Sequence, residues 1–323
     1  MPAIRKIFLY NITGIKRKDS YDMNDDNRET YYKGLRQIML CMFLWGVLPV
    51  YWKSLVPIDS WIIILYRMVM VFLCALIYAM KGRSLKEIFG PLRDKRKAGK
   101  FLVAGVIITF NWSVFIWAVN SGRIIQASTG YYIEPMFVAL FGMIFFKERL
   151  TIYKTISLAC AFAAVLIMLV HYGVLPGVAL LLALSFSAYS AIKKSVDEPP
   201  AISLTYETVF LAPFALGAIL FLEINGRGAL SQGQPYQYVL LLLCGLATVI
   251  PLGLFAAAAQ KIPMFTLGVA EYLSPTISLL IGIFIYHEPM DRVQLFALAV
   301  IWAGLVFFTI GEFRALRNSE SGN

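Results

Sequence analysis

Charge is what this chain has least of: Asp, Glu, Lys and Arg together make 15% of its 323 residues, against about 25% in an ordinary soluble domain. So little charge excludes a water-soluble globule, because nothing would cover the 59% of residues that are hydrophobic. Histidine is scarcer still, with His171 and His287 alone at the ends of apolar runs. The four cysteines, Cys41, Cys74, Cys160 and Cys244, sit in four different apolar runs without C-x-x-C spacing. That scatter points away from a metal centre or a disulfide framework and towards small buried side chains, and no cofactor is implied. The motifs G-x-x-x-x-G-K-[ST], H-E-x-x-H and G-x-S-x-G are also missing. The sequence therefore offers no P-loop for ATP and no visible protease or esterase centre, and it reads as a non-enzyme.

Long apolar runs are what the chain does have. Mean hydropathy is +0.71, and the charges are gathered between stretches of about 20 residues, the length that crosses a ~30 Å hydrocarbon core as a helix. Ten spans are predicted: 34–53, 59–80, 98–119, 124–146, 151–170, 174–192, 203–222, 236–259, 264–286 and 291–311. Connections as short as 120–123 and 172–173 allow only antiparallel neighbours, so the chain zigzags across the bilayer. The fold expected is an all-α membrane protein.

Ten spans put both termini on one side. On that side fall 24 of the 29 lysines and arginines; the other side holds only Lys53, Arg123, Arg227 and Arg292, with Arg67 inside a span. The positive-inside rule makes the first side cytoplasmic. The net charge of +10 thus reports topology; the basic residues flank spans and line no nucleic-acid groove. Residues 1–33 lack the apolar core of a signal peptide and read as a cytoplasmic tail, with Met23 an alternative start, and residues 312–323 as a second cytoplasmic tail.

Laid over itself at a shift of 140 residues, the chain aligns its two halves without a gap. Tyr132 meets Tyr272, Pro135 meets Pro275, Gly142 meets Gly282, and Glu148 meets Glu288; the same offset pairs Lys53 with Lys193, Tyr66 with Tyr206, and Gly105 with Gly245. Matches among leucines and valines carry little weight in such a chain; the prolines, glycines and flanking charges carry more. The expected organisation is therefore two five-helix repeats, 34–171 and 174–311. An odd number of spans per repeat inserts the second upside down, which puts Glu148 at the cytoplasmic surface and Glu288 outside. Inverted repeats can exchange conformations and so open a central site to either face in turn.

The repeated unit carries a lysine closing its first helix and a distinctive fourth helix, IEPMFVALFGMIFFKERL in the first half and LSPTISLLIGIFIYHEPM in the second. In this it resembles the EamA family of the drug/metabolite transporter superfamily. The segments FLWGVLPVYWK, NWSVFIWAVNSGRIIQASTGYYIEP and LTYETVFLAPFA look like its RarD branch, named for chloramphenicol sensitivity, and the resemblance spans about residues 34–311. It implies a multi-pass permease of the bacterial inner membrane that moves metabolites or drugs. Glu134 departs from the uncharged polar residue that relatives often carry before the fourth-helix proline.

Ionisable side chains inside a span cost about 2.5–3.5 kcal/mol on insertion scales and so face a cavity or a partner. Four meet that description: Arg67, Glu134, Glu207 and Glu271. Arg67 and Glu207 correspond under the shift, which leaves three readings: an ion pair across the pseudo-two-fold that helps hold one access state, a permanent structural pair, or an arginine bonded to backbone carbonyls. Glu134 shares a helical face with Ser128 and Tyr131, and Glu271 with Ser274 and Ser278. Each half thus presents an acid and a hydroxyl to the expected cavity. Carboxylates there could exchange a proton during the cycle or attract a cationic solute. Substrate contacts are assigned to Trp45, Asn111, Trp112, Tyr131, Tyr132, Glu134, Glu271, Tyr272 and Ser274, and coupling or gating to Arg67, Glu207, Glu134 and Glu271; for the aromatics, plain packing is the competing reading. Glu148 and Glu288, at span ends, are expected to anchor loops.

The partners expected are a small-molecule substrate, the lipid bilayer and protons or a counter-substrate, with a homodimer left open. The function expected is secondary transport of a small metabolite or drug-like molecule by alternating access. A membrane-embedded enzyme or a channel for a small amphipathic molecule is the alternative, although no repeated filter sequence or charged ring supports a channel.

Overall fold

The computed structural model describes residues 25–146, 152–173, 176–193, 198–259, 261–262 and 270–321, and among them the secondary structure is helix joined by turns. Met23, Glu148 and the start of the ninth expected span lie outside the described residues. Without water in a bilayer core, each backbone amide and carbonyl must be satisfied within its own segment, which is why long apolar runs become helices.

In chain order the helices are α1 (Asp25–Lys53), α2 (Ser60–Ala79), α3 (Leu85–Phe89), α4 (Lys95–Asn120), α5 (Ile124–Phe146), α6 (Ile152–Tyr172), α7 (Gly177–Lys193), α8 (Pro200–Val209), α9 (Ala212–Ile224), α10 (Ala229–Gln232), α11 (Pro235–Ala259), α12 (Leu273–Phe284) and α13 (Arg292–Ser321). Among the described residues six helices (α1, α2, α4, α6, α11 and α13) are long and apolar enough to cross a membrane, and the α8–α9 pair makes a seventh if counted as one bent span. Helix α5 has 23 residues, while α7 and α12 are apolar but shorter.

Three boundaries differ from expectation. Helix α1 reaches back nine residues before Gly34, to Asp25. Helix α13 runs on past Gly311 to Ser321, because no proline or second glycine interrupts the good helix formers that follow. The seventh expected span is broken into α8 and α9, bent by 57°. Pro213 sits in the first turn of α9; its missing amide and its ring stop the helix from continuing out of Val209.

Between α2 and α4 the chain makes a small capped turn. The Glu87 amide donates to Ser84 Oγ at 3.3 Å and the Ser84 amide to the Glu87 carboxylate at 2.8 Å, a reciprocal capping box. These bonds from Ser84 hold the Glu87 carboxyl below the usual carboxylate range.

Helices from the two halves pair in a crossed pattern. Helix α1 packs on α12 and α11, α5 on α7, α2 on α11 and α8, α4 on α8, and α6 on α13. Two glycines permit the closest of these approaches. A Cβ at Gly105 of α4 would collide with the Glu207 carbonyl of α8, and one at Gly245 of α11 with the Met70 carbonyl of α2. The bulkiest fully buried side chains, Trp52, Tyr132, Tyr206 and Phe101, lie in these seams. Large apolar side chains such as Val170, Phe214, Ile224 and Phe284 point outward, as a lipid-facing surface requires.

Candidate functional site

Arg67 lies seven residues into α2, about 10 Å along its axis, and is only 4% exposed. Its guanidinium is stacked between two indoles, 4.8 Å from the ring centre of Trp52 at the end of α1 and 4.2 Å from that of Trp112 on α4. Cation–π contacts between desolvated groups are worth about 2 kcal/mol each, enough to offset part of the several kcal/mol of burying a cation. The Nε and Nη1 donors nevertheless meet no hydrogen-bond acceptor among the described residues. Tyr51, Tyr131 and Cys244 stand within electrostatic reach of the charge.

Asn111 is fully buried; its amide nitrogen donates to the Leu182 carbonyl at 3.0 Å and to Ser185 Oγ at 2.9 Å, both on α7, and its oxygen accepts from the Tyr131 hydroxyl at 3.4 Å. The Tyr131 ring meets Phe115 edge-on at 5.7 Å and Phe186 at 6.4 Å. Arg67, Trp112, Asn111 and Tyr131 thus form one continuous polar and aromatic strip between α2, α4, α5 and α7.

Glu134 is one turn beyond Tyr131 on α5 and half-buried, as is Glu271 just ahead of α12. The two carboxylates lie within electrostatic reach of one another, Glu134 also of Tyr131 and Glu271 of Cys41. On their faces, Ser278 Oγ donates to the Gly46 carbonyl of α1 at 2.9 Å and Ser187 Oγ of α7 to the Glu134 carbonyl at 3.3 Å. Ser274 and Tyr272 are half-buried nearby on the chain. Trp45 is half-buried too, its ring 5.7 Å from that of Phe255.

One expectation needs correcting. Glu207 does not pair with Arg67: its fully buried carboxylate accepts from Lys193 Nζ at 2.7 Å, Ser203 Oγ at 2.7 Å and the Tyr189 hydroxyl at 3.0 Å. Lys193 ends α7 and points across the short connection to α8, so it reaches Glu207 before any group of α2 can. Tyr132 is 1% exposed; its hydroxyl shares a hydrogen bond of 2.6 Å with Thr276 Oγ1 and its ring lies 6.1 Å from Trp302. It knits α5 to α12 and α13.

The position of Glu288 fits an anchor. Its carboxylate accepts from the Ile124 amide at 2.9 Å and the Ile125 amide at 3.0 Å, closing the amino end of α5. Glu148 lies outside the described residues. Lys193 and Trp52 had no place in the expected site. Lys193 enters the sequence analysis only as an orienting charge and as the repeat match of Lys53.

A family model, "EamA-like transporter family", matches residues 32–170 and again residues 175–310. The chain belongs to that family. This EamA-like chain is 39% identical over 295 residues to "Uncharacterized transporter YojE" of Bacillus subtilis, covering 90% of this chain and 97% of the relative. It is 33% identical over 281 residues to "Protein RarD" of Streptomyces exfoliatus, at 86% and 88% coverage. To "Chloramphenicol-sensitive protein RarD" of Pseudomonas aeruginosa it is 27% identical over 290 residues, at 88% and 96%. A solved structure, described as "Crystal structure of protein", superposes with a TM-score of 0.57 over 89% of this chain and 99% of that one; at 17% identity the likeness is one of fold alone. The EamA-like chain is a multi-pass membrane protein with RarD-like relatives, and those relatives point away from an enzyme.

Proposed function

We propose that the chain is a secondary transporter of the bacterial inner membrane, with ten spans in two five-helix repeats of opposite orientation, moving a small metabolite or drug-like solute by alternating access. The observation that carries this reading is the crossed helix pairing. Helix α1 packs on α12 while α5 packs on α7, and α2 packs on α11 while α4 packs on α8. Under the 140-residue shift each member of such a pair is the image of the other pair's opposite member, as a pseudo-two-fold in the membrane plane requires. The double match of one family model supports the duplication independently.

The solute path runs between the halves, along the strip of Arg67, Trp112, Asn111 and Tyr131 towards Glu134 and Glu271. Half-buried carboxylates in the seam suit coupling to protons, since a group that alternates between a dry and a wet environment can load and release one. The relative described as chloramphenicol-sensitive makes amphenicols one reasonable solute class to test. Protein reconstituted alone into vesicles is expected to show saturable uptake and exchange of a solute, with a pH dependence lost in Glu134→Gln or Glu271→Gln. Flux that rises linearly with concentration would replace the carrier by a channel. Unchanged pH dependence in both variants would remove these carboxylates from coupling. Labelling from the two faces of the membrane should find positions 148 and 288 on opposite sides, and the same side for both would end the inverted-repeat reading.

A further inference from the structure

Lys53 and Lys193, the two lysines at repeat-equivalent helix ends, are both satisfied. Lys53 Nζ donates to the carbonyls of Val119 at 3.1 Å and Asn120 at 3.3 Å, and Lys193 is bound to Glu207. Arg67 is more deeply buried than either, yet its Nε and Nη1, themselves buried, have no hydrogen-bond partner among the described residues. A buried donor left unmade is destabilising, and a guanidinium with a merely structural role would be turned onto a carboxylate or a backbone carbonyl. The internal anion best placed by the repeat to serve it, Glu207, is already taken by three donors. The indoles of Trp52 and Trp112 cover the faces of the guanidinium, which leaves its in-plane N–H donors as the groups a ligand would meet. The in-plane donor pairs of a guanidinium match the spacing and charge of a carboxylate.

We infer that Arg67, held between Trp52 and Trp112, is an anion-binding subsite, and that the solute this protein carries bears a carboxylate. The inference rests on the carrier reading above. The adjoining wall is aromatic, with Tyr131 set against Phe115 and Phe186. A carboxylate with a flat or apolar body fits it: the charged end lies on Arg67 and the body against these rings. Asn111 braces Tyr131 from α4, so the wall is held in place before the solute arrives. The Trp pair fixes the guanidinium in the same way, and little ordering is left to be done on binding.

The test is thermal unfolding of the purified full chain in micelles with matched probes: benzoate and benzamide, phenylacetate and phenylacetamide, and inorganic phosphate. The carboxylates are expected to raise Tm with a saturable dependence and the isosteric amides to leave it unchanged. Arg67→Gln should weaken the carboxylate effect about 10- to 100-fold, and Arg67→Lys, which keeps the charge but not the planar edge, should fall between. An equal shift from acid and amide, an undiminished shift in Arg67→Gln, or no shift from either carboxylate would overturn the inference. So would a larger response to phosphate, which would assign the site to a lipid headgroup. Should the variants fail to fold, phenylglyoxal modification of wild-type Arg67, read by peptide mass spectrometry, replaces them. Benzoate should slow the modification and benzamide should not; equal rates count against the subsite. Carboxylate binding without saturable flux of any solute would defeat the carrier and spare the subsite. Saturable flux confined to uncharged or cationic solutes would do the reverse.

Discussion

Removing Lys193 leaves a carboxylate in the worst place the fold offers for one. Glu207 is fully buried, and its only cationic partner among the described residues is Lys193, whose own side chain is 29% exposed. In Lys193→Met the carboxylate keeps Ser203 and the Tyr189 hydroxyl but loses its counter-charge. Breaking a buried pair from one side costs about 3–5 kcal/mol; the partial exposure of the lysine brings the expectation to the lower end, about 3 kcal/mol. Removing both charges in Lys193→Met/Glu207→Met takes away the stranded ion as well, so most of that loss should return. Read as thermal unfolding in detergent, the single variant should lose about 4 °C, on the per-residue unfolding entropy of soluble domains scaled to this length. A second cycle with Arg67→Met and Glu207→Met should give a coupling below about 0.5 kcal/mol, as expected for residues without a shared contact. Strong coupling of Glu207 to Arg67, or a double variant as unstable as Lys193→Met, would refute the assignment of the pair.

Three further outcomes follow from other contacts. Glu288→Ala removes both carboxylate bonds to the first amides of α5 and should destabilise by about 1–2 kcal/mol, with Glu288→Gln losing less; unfolding in detergent measures both. Gly105→Leu drives a side chain into the α8 backbone and should cost about 1–3 kcal/mol or block assembly outright, seen as loss of monodisperse protein, while the outward-lying Gly99→Leu should be neutral. The Tyr172 hydroxyl on Asp291 holds that carboxyl below the usual carboxylate range. A depressed carboxyl adds stability that is present above its unfolded value and fades as pH falls through the folded one. Wild type should therefore lose stability relative to Asp291→Asn on acidification through the carboxylate range, and parallel pH profiles would contradict this.

Much of the helix layout could be read from the chain because bilayer thickness and hydrogen-bond satisfaction leave one choice for a 20-residue apolar run. Pro213 marks the break in the seventh span, but the 57° turn there could not be read from one residue. The 140-residue shift was visible in Gly105 and Gly245, and both turned out to sit where a helix of one half touches a helix of the other. Pairings of side chains were harder. Equivalence under the repeat made Arg67 and Glu207 look like partners, but a repeat equates environments and says nothing about which group arrives first. Lys193, 14 residues before Glu207 and joined to it by a short connection, wins on reach alone. Trp52 was hidden by its place at a span end, and Tyr132 by the distance in sequence to Thr276 and Trp302, which no local pattern reveals.

The crossed seams also bear on how such a chain is made. Helix α1 leaves the ribosome some 220 residues before α12, the helix whose side it covers, which at ordinary synthesis rates is a wait of about 10–45 s. During that interval Gly46, which faces Ile277 of α12, lacks its partner. Assembly of the first half is therefore provisional until the second is in the membrane, and the two halves supplied as separate polypeptides should find each other by the same unfilled seams.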